Sequence, residues 1–350
     1  MTERVLPMTD FNRVIIEGAV DRALRDISRD PRRTLRNLLD LGLMVAKSPM
    51  QKKTFQKIAQ MMADEDSAYF EVASRVVQQV NRAWMKNVCV NVGYEACILG
   101  ARAIQQAEQD GGIYIPWCIR LSCGEEGLAP VSMEEIVWQA AKLGIHMFLL
   151  DDLGMDPECL RELVVQYPKC TFLVLTEPER LNHWDLSEMR LCQNMVLLLD
   201  YDAEGMEEIQ TELLRYQYFY GLFRRYHDGN AEAVISQEAL EAYLNQPAAL
   251  LVLIATQGTS PQMRQLVNRE TDRIRVSQQY PLILLDAAGD IGVVEEIISH
   301  RRMVLRFDGQ GQAWEEDGVT ELSGANIHTM SLTEILRQKA PNAKGEETYG

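Results

Sequence analysis

Acidic side chains recur in this chain at one kind of place, directly after a short apolar run. Asp151 and Asp152 follow Phe148-Leu149-Leu150, Glu177 follows Leu173-Val174-Leu175-Thr176, Asp200 and Asp202 follow Leu197-Leu198-Leu199, and Asp286 follows Ile283-Leu284-Leu285. Carboxylates gathered at one rim are hard oxygen donors for a divalent cation or a cationic ligand, with Asp151, Asp200 and Asp202 as the metal candidates. Two close carboxylates can instead share a proton and divide acid and base duties. A basic group, Arg224, Arg225 and His227, follows a fifth apolar run. Guanidinium groups bind carboxylate or phosphate through paired hydrogen bonds. Cys123 lies just past the first run between Ser122 and Gly124, where a thiol can be reactive; Glu125 and Glu126 beside it disfavour thiolate. Turn-forming and helix-capping duties account for the same Asp and Thr residues, and solvated ion pairing accounts for the arginines.

These positions become a rim only if the apolar runs are parallel strands. Runs occur near 117–121, 146–150, 171–175, 195–199, 219–223, 249–254, 281–285 and 302–307. Their starts are roughly 21 to 32 residues apart, the length of a strand-plus-helix unit. Helical periods fill the intervals near 132–143, 156–166, 204–217, 236–244, 260–278 and 290–299, with starts marked by Ser132, Pro157, Ser236 and Pro261. Alternation of this kind predicts an α/β fold, one parallel sheet curled into a full or partial (β/α) barrel, with a flat doubly wound sheet as the other solution. In either, ligands gather at the carboxyl ends of the strands.

Residues 9 to 110 read as helices only. Thr9 or Asp10 caps the first, Asp30-Pro31 and Ser48-Pro49 open the next two, a fourth spans about 66–84 and a fifth about 92–109, ended by Gly111-Gly112. Beyond residue 308 a turn, a hairpin within 313–327 and a helical turn from Ser331 to Arg337 are expected, followed by a Pro-, Lys-, Glu- and Gly-rich tail. The domain reading is therefore 1–112 helical, 113–307 barrel-like, 308–338 a C-terminal extension and 339–350 a disordered tail.

Hydrophobic residues make up 47% of the 350, enough for a sizeable core, and the net charge is −16. An acidic surface repels phosphate backbones and anionic lipid, so neither nucleic acid nor a membrane surface is an expected partner. No apolar run approaches the roughly 20 residues that span a bilayer. The N-terminus lacks the apolar core of a signal peptide, and seven cysteines without Cys-x2-Cys pairing point to reduced thiols and a cytoplasmic setting. No phosphate-cradling glycine loop, dinucleotide fingerprint or zinc-protease motif occurs.

The wording of several segments resembles the radical S-adenosylmethionine superfamily. The resemblance rests on Ile115-Pro116-Trp117 leading into the first strand, Ser132-Met133-Glu134-Glu135-Ile136 followed by Leu143 to Leu150, Tyr167 to Thr176, and Asn326-Ile327 with Ser331 to Leu336. It covers most of residues 90 to 337 and implies a barrel of the radical-SAM type with an N-terminal helical domain. The family's chemistry needs a Cys-x3-Cys-x2-Cys loop after the first strand, which holds a [4Fe–4S] cluster. Here that place reads Ser122-Cys123-Gly124-Glu125-Glu126-Gly127-Leu128, with one cysteine. Where the family carries Gly-Gly-Glu-Pro, this chain has Asp151-Asp152-Leu153-Gly154, and Thr176-Glu177-Pro178 replaces Thr-Asn-Gly. The resemblance is thus to a degenerate member, for which the expectations are no cluster, no S-adenosylmethionine, lost radical chemistry, and a binding, scaffold or regulatory role beside a catalytic homologue or a small-molecule ligand. The alternative is an enzyme that uses the acidic mouth for non-radical chemistry.

Overall fold

The computed structural model describes residues 11–46, 49–125, 127–315 and 321–339. The expected caps Thr9, Asp10 and Ser48, as well as Glu126 and the tail beyond residue 339, lie outside them. Six helices run first: α1 (Phe11–Asp26), α2 (Pro31–Val45), α3 (Pro49–Met61), α4 (Tyr69–Gln79), α5 (Arg82–Val90) and α6 (Ala101–Gly111), the last two joined by a π-wound segment, Asn91–Gly100. Asp30 caps α2 by accepting from the Arg33 N–H, and Pro31 stands at the first helical position, where no N–H is needed. The fourth predicted helix is corrected. It breaks at Val80, and Asn81, which accepts from Ala83 and Trp84, opens a new helix. That helix continues through the fifth predicted one until Gly112 ends it in a left-handed turn at φ +60°.

Strands and helices then alternate: β1 (Cys118–Cys123), α7 (Pro130–Lys142), β2 (Met147–Asp152), α8 (Pro157–Gln166), β3 (Thr171–Thr176), α9 (Pro178–Leu181), α10 (Leu186–Met189) and β4 (Met195–Asp200). They continue as α11 (Met206–Arg215), β5 (Tyr220–Tyr226), α12 (Gln237–Leu244), β6 (Leu250–Ala255), α13 (Pro261–Ser277), β7 (Ile283–Asp286), α14 (Ala287–Ser299) and β8 (Leu305–Phe307). A hairpin, β9 (Gln312–Glu315) and β10 (Glu321–Asn326), and α15 (Leu332–Lys339) complete the described chain. All eight expected strands are present. Ser132 is not a cap: Pro130 starts α7, and Ser132 lies inside its first turn. Lys339, expected in the tail, is the last residue of α15.

The sheet order is β10-β9-β8-β1-β2-β3-β4-β5-β6-β7, with β1 to β8 all parallel and the hairpin antiparallel. This is the order of an eight-stranded barrel left unpaired between β7 and β8, compatible with a partial barrel. Curvature is visible in what shares a cavity. Laid flat, β1 and β6 would stand about 24 Å apart at five strand spacings. Yet Arg120 of β1, Arg306 of β8, Arg225 of β5 and Ile254 of β6 line one space of about 180 Å³. A flat doubly wound sheet does not bring these strands together. No described helix is long and apolar enough to cross a membrane.

The amino ends of the strands are sealed by the leading helices, largely through side chains that reach backbone groups. The Trp84 indole N–H donates to the Met195 carbonyl at 2.6 Å, and its ring packs on Tyr218. Asn91 donates to the carbonyls of Pro168 and Cys170, Arg75 to Pro281, and Gln105 to Ile298. Two buried carboxylates do the converse. Glu295 accepts from the N–H groups of Trp117 and Met303, before β1 and β8, and Glu108 accepts from Ile115. Burial pushes both carboxyl groups up to about 7, against the pull of these N–H donors. The folded protein therefore holds protons that the unfolded chain releases near pH 4.5, so these two groups make stability fall as pH rises from about 4.5 to about 7. Urea midpoints should drop across that window, and the drop should be smaller in Glu108→Gln, whose amide oxygen can still accept from Ile115. An unchanged pH slope in that variant would contradict the assignment.

Candidate functional site

Residues paired in parallel register point to the same face of a sheet, and successive residues alternate. Arg120 pairs with Arg306 and Arg225 with Ile254. Since all four line the 180 Å³ space, their face is the concave one. By the same register Asp151 and Asp200 are concave, whereas Asp152, Arg224, Tyr226 and Asp286 belong to the opposite face.

This parity splits the predicted site residues. Asp151, buried, receives two hydrogen bonds from Arg120, at 2.7 and 3.0 Å. Asp200 receives one from Arg225 at 2.6 Å. On the convex side Asp152 accepts from Thr176, Arg180 and the N–H groups of Gly154 and Met155. Asp202 pairs with Arg224, which also donates to the Tyr243 hydroxyl. Glu177 is exposed, ahead of the short α9. His227 is exposed, and its Nδ1 accepts from the Gly229 N–H. Asp286 caps α14 by accepting from Gly289 and also accepts from the Tyr226 hydroxyl. Burial, with Asp290 nearby, raises its carboxyl to about 6. Arg224, Arg225 and His227 are thus not one anion clamp: only Arg225 faces the cavity. The metal candidates Asp151, Asp200 and Asp202 each answer an arginine, and among the described residues no three His, Cys, Asp or Glu side chains converge as a metal set.

The residues do not fit the three-thiolate ligation that the resemblance calls for. Cys118 and Cys123 stand five positions apart in a regular strand, so their thiols leave opposite faces of the sheet. Cys123 is fully buried, and burial, then the charges of Asp151 and Asp152, pushes its thiol well above the ordinary range. The loop after β1 is closed against the loop after β2: Leu153 N–H donates to the Cys123 carbonyl, and Glu125 N–H to that of Gly154. Gly124 has φ +123°, and a Cβ there would lie 2.5 Å from the Leu153 carbonyl oxygen. Backbone fills the place where a cluster loop would open.

What the concave mouth does hold is arginine. Arg264 of α13 joins Arg120, Arg225 and Arg306 around the cavity, together with Thr256 and Gln257 from the end of β6. Arg264 is positioned by donating to the carbonyls of Thr256 and Thr259. Arg306 lies over the Trp314 ring, 5.6 Å from its centre, and the Trp314 indole is anchored on Asp308. Only Arg225 of these four stood among the sequence candidates. A signal for two others was present: Ile119-Arg120-Leu121 and Leu305-Arg306-Phe307 each place a charge in the middle of an apolar strand. Arg264 carries no such signal, because an arginine in an amphipathic helix is ordinary.

Removing one member of the buried pair strands a charge. Arg120→Ala should therefore cost about 3–5 kcal/mol of stability, while Arg120→Met with Asp151→Leu together should recover most of it. Asp202→Asn, at a half-exposed pair, should cost less than about 1 kcal/mol. Urea denaturation of the four proteins reads the comparison; equal costs for Arg120→Ala and Asp202→Asn would refute it.

No protein-family model and no curated protein sequence matches the chain, so the site is defined by its own residues: an arginine-lined mouth at the carboxyl ends of a curved parallel sheet.

Proposed function

We propose that this chain is a cluster-free relative of the radical S-adenosylmethionine enzymes, on a partial barrel of the radical-SAM type, acting as a binding, scaffold or regulatory protein through its concave mouth. The observation that carries this reading is the closed loop pair after β1 and β2. Radical chemistry needs three thiolates on an open loop at that place. This chain offers one buried cysteine there, with backbone packed against backbone. The acids of the mouth, Asp151 and Asp200, support a binding role over a metal-dependent one, because each is already paired with an arginine at hydrogen-bond distance. A catalytic homologue is the proposed protein partner, met through the leading helices, where Val14, Ile15 and Met44 are exposed. The seven free thiols suit a cytoplasmic setting.

A second reading, an enzyme of non-radical chemistry, draws on one feature only. Asp286 and Tyr226 line a second cavity of about 230 Å³, and a carboxyl raised to about 6 is matched to proton transfer near neutrality.

Elemental analysis of protein purified without oxygen separates these readings. The binding reading expects iron, sulfide and divalent metals all near zero. A full equivalent of zinc, manganese or magnesium would favour the enzyme. Four irons with matching sulfide would overturn the cluster-free assignment.

A further inference from the structure

The acidity of the chain is not spread evenly. Helices α1 to α3, residues 11–61, hold eleven arginines and lysines against five acids, a net charge of +6 in a chain whose total is −16. Residues 130–215, which run from α7 to α11, hold seventeen acids against six bases, a net charge of −11. Ion pairs within either segment leave the contrast intact, because such a pair adds nothing to the net charge. Some of the basic charge costs stability. The first turn of α2 contains Arg32 and Arg33 and no acid, although the positive end of the helix dipole disfavours cations there. Arg29, Arg32, Arg33 and Arg36 are all exposed around that turn.

The two segments share a second property. Among the described residues eleven large hydrophobic side chains are exposed, and nine of them lie in these segments. On both, apolar and charged side chains share one side of a helix. Ile15 and Arg22 lie two turns apart on α1, and Val14 and Arg25 three turns apart. The ion pairs of Arg22 with Asp26 and of Arg25 with Asp21 are solvent-exposed and therefore weak. On the flank Glu134 and Trp138 share a side of α7, and Glu158, Glu162 and Val165 share a side of α8. These flank helices adjoin: Gln166 of α8 donates to Glu134 at 2.8 Å, and Arg161 of α8 lies within electrostatic reach of Glu188 on α10. The basic helices form an outer layer, with α1 packed on α5, α2 on α4 and α3 on α2.

We infer that these two surfaces dock on each other between copies of this chain, the basic helices α1 to α3 of one against the acidic flank, α7 to α11, of the next. The inference rests on the proposal that the leading helices are a partner surface and names a second copy as an occupant. Complementarity selects it. The flank presents both the carboxylates and the apolar side chains, Trp138 among them, that the basic helices call for. Exposed aromatic and aliphatic groups set among opposite charges are the make-up of an interface, where the apolar groups supply affinity and the charges supply steering and register. An anionic bilayer would offer charge to the leading helices and leave the Trp138 flank unpartnered; a second copy covers both. The contact is head to tail, with a different surface used on each copy, so it closes into a ring or runs on as an open chain of molecules.

Sedimentation velocity of the purified full chain over a concentration series tests this. At about 50 mM sodium chloride the weight-average mass should rise with concentration, and at about 0.5 M the association should weaken at least about tenfold, because contacts between exposed charges are screened. Two charge-reversed variants separate the faces. Arg29→Glu with Arg33→Glu, and Glu135→Lys with Glu162→Lys, should each be monomeric alone. Mixed in equal amounts they should associate, since the first keeps the acidic flank and the second keeps the basic helices. The salt series uses the natural protein, so the test does not depend on either variant folding. A natural protein that stays monomeric at low salt, an association that salt strengthens, or variants that assemble alone as the natural protein does would overturn the inference. So would capture of a monomeric protein by vesicles of phosphatidylserine and phosphatidylcholine, which would give the basic surface to a membrane. A monomeric chain that co-purifies with a catalytic homologue would overturn this inference alone and leave the proposed partner standing.

Discussion

A parallel sheet that curls without closing has a polar problem at each end, and the structure rests on how the amino end is solved. Strand starts and the turns before them carry backbone groups that bury without helix or ladder partners, and each such group left unpaired costs about 1–3 kcal/mol. The leading helices supply side chains for them, Trp84 and Asn91 to carbonyls before and within β3 and β4, Arg75 ahead of β7, and Glu108 to an N–H ahead of β1, and α14 adds Glu295 to N–H groups ahead of β1 and β8. Asn81 extends the same logic, since its N–H donates to the Gln217 carbonyl ahead of β5. The leading helices thus form the floor of the sheet, and the floor fixes which end remains open.

With the floor closed, chemistry is confined to the carboxyl ends, and there parity decides what meets what. Alternation along each strand sends Asp151 to Arg120 on the concave face and Asp152 to Arg180 on the other, Arg225 to the cavity and Arg224 to Tyr243. A run of neighbouring charges in the sequence is therefore two unrelated sets in space. The convex set ties strands to their covering helices. Among the described residues the concave set pairs Arg120 with Asp151 and Arg225 with Asp200.

Much of the architecture was legible because it depends on local pattern. Eight apolar runs at regular spacing became eight parallel strands, and Pro31, Pro157, Pro261 and Ser236 marked helix starts as expected. The break at Asn81 was hidden because Val80 and the residues after it continue a helical period, and only the cap geometry and the Gln217 contact reveal it. The site was less legible. Acids at strand ends drew the reading toward a cationic ligand, since an arginine partner on the neighbouring strand, 31 residues away for Asp151 and 25 for Asp200, leaves no trace in sequence spacing. Arg264 and Arg306 reach the cavity by crossovers of tertiary structure, and the curvature that unites them with Arg120 depends on the whole sheet.

The C-terminal extension connects these threads. A hairpin appended to the β8 edge first settles an exposed strand edge, which would otherwise offer unpaired N–H and C=O groups. It also carries Trp314, held by Asp308, to the face of Arg306. A cation beside another cation on the neighbouring strand needs compensation, and an aromatic face provides it without neutralising the charge. A carboxylate in place of Trp314 would have neutralised Arg306. The indole there keeps Arg306 both ordered and charged where it lines the cavity.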